Sequence, residues 1–399
     1  MIRQTVDILI SGGGVAGLAA SIGFGSAGFS VLCVDPAAPV TDRLSAGADL
    51  RSTAFLMPSV TLLQEIGLWD RLSPFAAALQ IMRIVDAGGA AGEARLSRDF
   101  DAADLSEHPF GYNLPNWLLR REMLAHLDSL PNVRFRPGLS TTQLITRESE
   151  ALVGLSDGSN WRARLVIGAD GRNSAVRQAL GIDVKTTRYG QKALAFTTTH
   201  PIPHQNISTE VHRSGGPFTM VPLPDHEGQP ASAVVWMEKG AEIARLAALP
   251  QPAFEAEMTL RACHILGPMT RISPLTIWPI ISQIATRMSG QRTALMAEAA
   301  HVVPPIGAQG LNMSLADLTT LRALAVADPA ALGSAKMLAA YHDRRHRDVQ
   351  IRVAGINALN RASMMGAPIL RDLRASTLGA LYSAAPIRKT LMKAGLGLR

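Results

Sequence analysis

The sequence predicts an α/β fold with a Rossmann-type βαβ opening, a β-rich second region and a helical C-terminus. Three observations predict it: a glycine loop between two short buried strands at the start, alternating segments from Lys192 to Glu238, and helical sequence from about Leu311 onward. With 399 residues and 47% hydrophobic content, the chain can bury the core of one large two-part domain or of two domains.

In chain order, Val6 to Ile10 reads as a buried strand, Val15 to Ala27 as a helix, and Ser30 to Val34 as a second buried strand ending in Asp35. A loop follows, then a helical pattern from about Ser52 to Ile66 closed by Gly67. Leu79 to about Leu96 alternates like strands around the turn at Gly88 and Gly89. A helix near Arg120 to Leu130 leads into short strands through Ile167, with turn chemistry at Asp157 and Gly158. KALAFTTTH, ISTEVHR, PFTMVPLP and ASAVVWME, separated by Pro, Gly and Asp, read as one antiparallel sheet. The closing helices are interrupted near Pro329, Pro368 and Pro386.

Aromatics at 5% and charged residues at 18% argue against a nucleic-acid binder, which needs stacking rings and a dense basic stripe. The formal charge is +7, and much of the excess sits in Arg371, Arg374, Arg388, Lys389, Lys393 and Arg399 against a single acid, Asp372. Such a tail suits peripheral contact with anionic lipid, with a solvated helix face as the plain alternative. Cys33 falls in a predicted strand and Cys263 in a predicted helix, without CxxC or metal-ligand spacing, so neither a disulfide framework nor a metal site is expected. The start carries no signal-peptide pattern, and no apolar run approaches a membrane span, which predicts a cytoplasmic protein.

Gly12-Gly13-Gly14-Val15-Ala16-Gly17 matches GxGxxG, follows a predicted strand and opens a predicted helix. In that setting Gly12 permits a tight turn, Gly14 lets backbone approach a pyrophosphate, and Gly17 lets helix pack on strand. The helix start, at Val15 and Ala16, offers free N–H groups and a positive dipole end. Asp35 is placed to accept from ribose hydroxyls. A second loop, Gly168-Ala169-Asp170-Gly171, joins a strand to a helix carrying Arg177, and a third, with Gly307 and Gly310, opens the late helical region. The glycine fingerprint alone does not separate FAD from NAD.

The chain resembles the flavin-dependent aromatic hydroxylases typified by p-hydroxybenzoate hydroxylase, and among them the ubiquinone-biosynthesis hydroxylases. The likeness runs through GGGVAGLAAS, DLRSTAF from Asp49, FGYNLPN from Phe110, GADGRNSAVR, YGQKAL, GPFTMVPLPD, AAHVVPPIGAQGLNMSLAD, LAAYHDRRHRDV and LNRASM. It implies a p-hydroxybenzoate-hydroxylase-like fold. Residues 1 to 75, 110 to 185 and 270 to 345 would form a discontinuous FAD-binding domain. Residues 76 to 109 and 186 to 269 would form the β-rich substrate domain, and 346 to 399 the helical C-terminal region.

Carried onto this sequence, the resemblance assigns the pyrophosphate to Gly12, Gly14 and Gly17, the ribose to Asp35, and further cofactor contacts to Arg51, Asp170 and Gly171. Gly307, Gln309, Gly310, Leu311 and Asn312 would line the ring and pyrophosphate, and Pro304 and Pro305 would flank the ring. An arginine on the helix after Asn116 would also touch FAD, with Arg121 preferred to Arg120. One departure stands out: the family usually writes Gly then Asp or Asn before the two alanines and His301, and this chain has Ala297 and Glu298. Glu298 can accept from sugar hydroxyls with a longer arm, while His301 reads as a packing residue. Phe218, Met220 and Trp236 are the candidate apolar walls of the substrate pocket, and core packing explains them equally well.

The implied chemistry is reduction of FAD by transiently bound NAD(P)H, formation of a flavin C4a-hydroperoxide with O2, and hydroxylation of a polyprenylated phenol or quinol. No second nucleotide fingerprint is present, because Gly88 to Gly92 sits in a predicted hairpin turn. The implied setting is the inner membrane face and a ubiquinone-biosynthesis complex. Two alternatives remain open from the sequence: a flavin-dependent reductase of the same fold, and a non-catalytic partner in which Ala297 and Glu298 weaken flavin binding.

Overall fold

The computed structural model of the chain describes residues 4–87, 92–213, 215–364 and 385–396. Parallel strands in the order Thr293–Leu295, Asn160–Gly168, Gln4–Ser11, Val31–Asp35, Val133–Pro137 form the centre of the first sheet. They are continuous apolar runs because both faces of the sheet are covered. Ile8, Leu9, Ile10, Leu32 and Ile167 are fully buried. From Gln4–Ser11 the chain builds outward to Val31–Asp35 and Val133–Pro137 on one side, then crosses to Asn160–Gly168 and Thr293–Leu295 on the other. Strand order therefore reverses at Gln4–Ser11, and sheets of this kind place ligands outside the carboxyl ends at that point.

The helix Val15–Gly25 is apolar almost all round, and it packs against the helices Asn116–Leu127 and Gln309–Ala327. Residues 52 to 66, expected as one helix, divide into the strand Ser52–Leu56 and the helix Met57–Glu65. Pairing with Gly111–Pro115 in a three-stranded sheet overrides the local helical pattern, and Pro58 suits the first turn of a helix better than its interior.

The second sheet runs His301–Val302, Thr276–Ala285, Val184–Thr199, Gln229–Lys239, Pro217–His226, Ile207–His212, Ile81–Asp86, Leu96–Asp101. Ile81–Asp86 and Leu96–Asp101 pair as the expected antiparallel hairpin, whose turn at Gly88 and Gly89 lies outside the described residues. Thr276–Ala285, which the sequence placed with the nucleotide-binding part, pairs along Val184–Thr199 in this second sheet. One face is covered by the helices Gly240–Ala247 and Gln251–Arg261. On the other face Ala193 and Met237 join the large core shared with the first sheet.

The helix Ala335–Met364 ties the two sheets together. The Tyr341 hydroxyl donates to the Leu295 carbonyl at 2.8 Å near one end, and Asn360 donates to Gln191 at 2.8 Å near the other. The helix Ala385–Leu396 lies across the body, with Met392 packed on Ala102 and Phe110 and Arg388 paired to Asp104 at 3.0 Å. Arg371, Arg374 and Arg399 of the basic tail, and the break at Pro368, lie outside the described residues. Cys263 falls just past the helix Gln251–Arg261 rather than within it. No helix among the described residues is long and apolar enough to cross a membrane.

Candidate active site

The glycine loop turns at the carboxyl end of Gln4–Ser11. Gly12 has φ +111°, and a Cβ there would stand 2.3 Å from the Ala169 carbonyl oxygen; a Cβ on Gly17 would stand 1.8 Å from the Gly12 oxygen. Both positions thus require glycine for close backbone approach. Gly14 differs, since nothing lies within 4 Å of its would-be Cβ. It caps Val15–Gly25 without a side-chain hydrogen bond, so the first N–H groups, including those of Val15 and Ala16, face open space with the positive end of the helix dipole. Asp35 accepts from the Gly13 N–H at 2.7 Å and from the Ala37 N–H at 2.8 Å. Its carboxylate holds the loop, and each oxygen keeps a second lone pair for an outside donor.

The second loop is fastened to the first, with the Ala169 N–H donating to the Ser11 carbonyl at 2.8 Å. Asp170 Oδ2 accepts from the Val176 N–H at 3.1 Å, while its Oδ1 is buried without a partner. An orphaned carboxylate oxygen lacks a donor, which a bound hydroxyl would supply. Gly171 beside it has φ +79° and open space where a Cβ would be. Buried Arg177 ties this loop to the next, donating to the carbonyls of Arg172 at 2.8 Å and Ala299 at 2.9 Å.

The third wall follows Thr293–Leu295. The Met296 N–H donates to the Gly168 carbonyl at 3.0 Å, and the chain then makes a tight corner in which Ala297 has φ +56°. That is the left-handed region, where an alanine pays a steric cost of about 1–2 kcal/mol that glycine escapes. Glu298 projects outward, half exposed, 3.5 Å from Arg172. Arg51 stands close enough to Glu298 to feel its charge, holds Asp49 through two bonds of 2.7 Å, and lies 5.4 Å over the Trp278 ring.

The fourth wall is the start of Gln309–Ala327, which has no side-chain cap and so leaves the N–H groups of Gln309, Gly310 and Leu311 free. Gly310 again has nothing near its would-be Cβ, and Gly307 turns at φ +59°. Pro304 is buried and Pro305 half-buried just before this turn. The Asn312 side chain is fully engaged: Nδ2 donates to the carbonyls of Ala54 and Ala308, and Oδ1 accepts from the Leu56 N–H and the Ser59 hydroxyl. These bonds fasten the helix onto Ser52–Leu56. The Gln309 side chain is likewise occupied, by the carbonyls of Gly307 and Gly395 and by Arg352.

Uncapped helix starts, open glycine faces and an orphaned carboxylate at one sheet edge suit a dinucleotide with two phosphates and sugar hydroxyls. The FAD binding domain family matches residues 5–354 of the chain. The chain belongs to that family. Ubiquinone hydroxylase UbiL of Rhodospirillum rubrum is 32% identical over 99% of this chain and 90% of its own length. The 3-demethoxyubiquinol 3-hydroxylase of Escherichia coli is 28% identical over the full length of both. Among solved structures, p-nitrophenol 4-monooxygenase PnpA of Pseudomonas putida superposes with a TM-score of 0.81 at 19% identity, each chain covered completely. The fold is thus p-hydroxybenzoate-hydroxylase-like, and the protein is a FAD-dependent monooxygenase of the aromatic hydroxylase family.

The two candidate arginines on the helix after Asn116 reach different partners. Arg121 is bonded to Glu122 at 2.8 Å and lies over the rings of Phe75 and Trp117, whereas Arg120 reaches Asp49 beside Arg51 at 3.3 Å. One residue rotates a helical side chain by about 100°, so the neighbouring arginines diverge, and Arg120 is the one that joins Asp49 and Arg51. An Arg120→Ala variant should weaken FAD binding more than Arg121→Ala, as read by flavin fluorescence titration; the reverse order would restore Arg121.

Phe218, Met220 and Trp236 are at most 4% exposed and pack with Phe254 and Met258 beneath the covering helices. They are core, not pocket. A strand alternates faces, so their neighbours lie on the opposite face: Thr219 pairs with Val235 and Val221 with Ala233 on the face that carries Met237 and Trp278. Phe218→Ala should therefore lower stability by about 3–5 kcal/mol while leaving the substrate KM nearly unchanged, and a large KM effect in folded protein would return this side chain to the pocket.

The acid sensitivity of the site can also be signed. Burial pushes the Asp49 carboxyl up, but the bonds and charges of Arg51, with Asn116 and Arg120, outweigh it and hold the group below its ordinary value of 3.8. Its stabilising contribution is complete above that value and is lost as pH falls through the lower folded one. Asp49→Asn should flatten the fall in melting temperature below about pH 4, and an unchanged acid limb would show the pair to be thermodynamically silent.

Proposed function

We propose that this monooxygenase hydroxylates the aromatic ring of a polyprenylated phenol or quinol intermediate of ubiquinone biosynthesis, with NAD(P)H as transient electron donor. The observation that carries the reading is the full-length likeness to the Rhodospirillum rubrum ubiquinone hydroxylase. When bound, FAD would supply the redox chemistry, taking electrons from NAD(P)H so that one atom of O2 could enter the aromatic ring and the other leave as water. The chain's own task is to bind, orient and exclude water. Gly12, Gly14, Gly17 and the free N–H groups of the two helix starts hold the phosphates. Asp35, Asp170 and Glu298 accept from sugar hydroxyls. Pro304 and Pro305 would flank the ring, and Thr219, Val221, Val235 and Trp278 would wall the substrate.

The greasy tail of such a substrate calls for a route from lipid. Lys389 and Lys393 on Ala385–Leu396 remain exposed. We take this basic helix as a peripheral contact with anionic headgroups on the inner membrane face, within a biosynthetic complex. Purified protein should be yellow and oxidise NAD(P)H slowly until a prenylated phenol is added, with 18O from O2 recovered in the product. Fast oxidation indifferent to any phenol counts against the proposal, and product formation without oxygen would favour a reductase of the same fold. Mass spectrometry of the quinone intermediate that accumulates in a deletion strain identifies the ring position.

A further inference from the structure

Asp317 is fully buried on Gln309–Ala327, and its carboxylate collects donors from three other places in the fold. Oδ2 accepts from the Ala297 N–H at 3.2 Å and lies 2.7 Å from His301 Nε2; Oδ1 accepts from Arg345 Nε at 2.8 Å. Arg345 is itself bonded to Asp348 at 2.6 Å, so its guanidinium is fixed from both sides. A buried ion pair alone is weak grounds for a role, since apolar replacement is often neutral. Here, however, one partner is the backbone of a residue in an unfavourable conformation. Ala297 keeps φ +56° without a glycine, and such a turn persists only where its surroundings over-determine it. The side chain that reaches its N–H is Asp317.

We propose that Asp317 is a positioning residue for FAD: it holds the Ala297–Glu298 corner in its left-handed turn and couples that corner to the helix whose N-terminus forms the facing wall. Glu298 and the free N–H groups of Gln309 to Leu311 are thereby kept at a fixed separation. This role is the same whichever phenol is hydroxylated.

Asparagine has the right shape to test it but only one oxygen. That oxygen turns to the Arg345 cation, leaving an NH2 facing the Ala297 N–H, and the brace is broken. In FAD titrations of stripped protein, with folding checked by circular dichroism, Asp317→Asn should raise the dissociation constant about tenfold or more, equivalent to the coupling energies of contacting residues. Glycine adopts the left-handed turn unaided, so adding Ala297→Gly should bring the double variant back to within about threefold of Ala297→Gly alone. Glu227, at φ +51° in the exposed tip between Pro217–His226 and Gln229–Lys239, provides the control. Glu227→Gly relieves a turn of the same kind far from the corner and should not rescue. Unaltered FAD affinity in Asp317→Asn, a loss that persists in the double variant, or equal rescue by Glu227→Gly each overturns the proposal. If Asp317→Asn alone fails to fold, a folded, FAD-binding double variant supports it, and failure of both overturns it.

Discussion

Gly12→Ala is expected to give a protein with little bound FAD and a clearly lowered melting temperature. The new methyl meets the Ala169 carbonyl at 2.3 Å in a backbone conformation, φ +111°, that alanine rarely adopts. Neither side can yield, because the Gly12 N–H is bonded to Val34 and the Ala169 N–H to Ser11, each at 2.8 Å. Strained backbone and overpacking each cost about 1–3 kcal/mol, so the combined loss is several kcal/mol. Gly14→Ala makes the informative contrast. It has room in the free chain, so the apoprotein should melt normally, yet under the proposed phosphate contact its methyl would crowd the pyrophosphate. The ratio of flavin to protein absorbance separates the cases, and a Gly14→Ala protein that keeps its yellow colour would remove this residue from the phosphate contact.

The second large effect is expected at Asp170. Removing its side chain in Asp170→Ala deletes the bond to the Val176 N–H, a loss of about 1 kcal/mol by analogy with helix capping, so the fold survives. It also deletes the buried Oδ1, which has no partner within the chain. A charge-assisted hydrogen bond is worth about 1.5–3 kcal/mol, so turnover or FAD affinity should fall by about tenfold to a hundredfold. Unchanged turnover in a folded variant would take Asp170 out of the site.

Both predictions come from features visible in the chain itself. The glycine spacing, Asp35 closing its strand and the Asp170 loop are local patterns in which a few adjacent residues dictate a turn, and the structure brings all of them to one sheet edge. The departure at Ala297 and Glu298 was also visible, but its meaning was not. Only the structure shows that Ala297 occupies a left-handed turn and that its N–H donates to Asp317, twenty residues later. The alternation in PFTMVPLP predicted a strand correctly without saying which face met the cofactor. Phe218 and Met220 looked like pocket walls, and the covering helices claimed them for the core instead.

What the sequence by itself determined was which elements meet at the carboxyl edge of the first sheet, because a glycine turn and a helix start are encoded within a few consecutive residues. What only the tertiary structure decided was orientation: Arg120 toward Asp49 and Arg121 toward Glu122, Phe218 into the core, Asn312 onto Ala54 and Asp317 onto Ala297. Those choices depend on partners far away in the chain, such as Ala54 for Asn312 and Arg345 for Asp317. Periodicity says that a face exists, and packing alone says what the face meets.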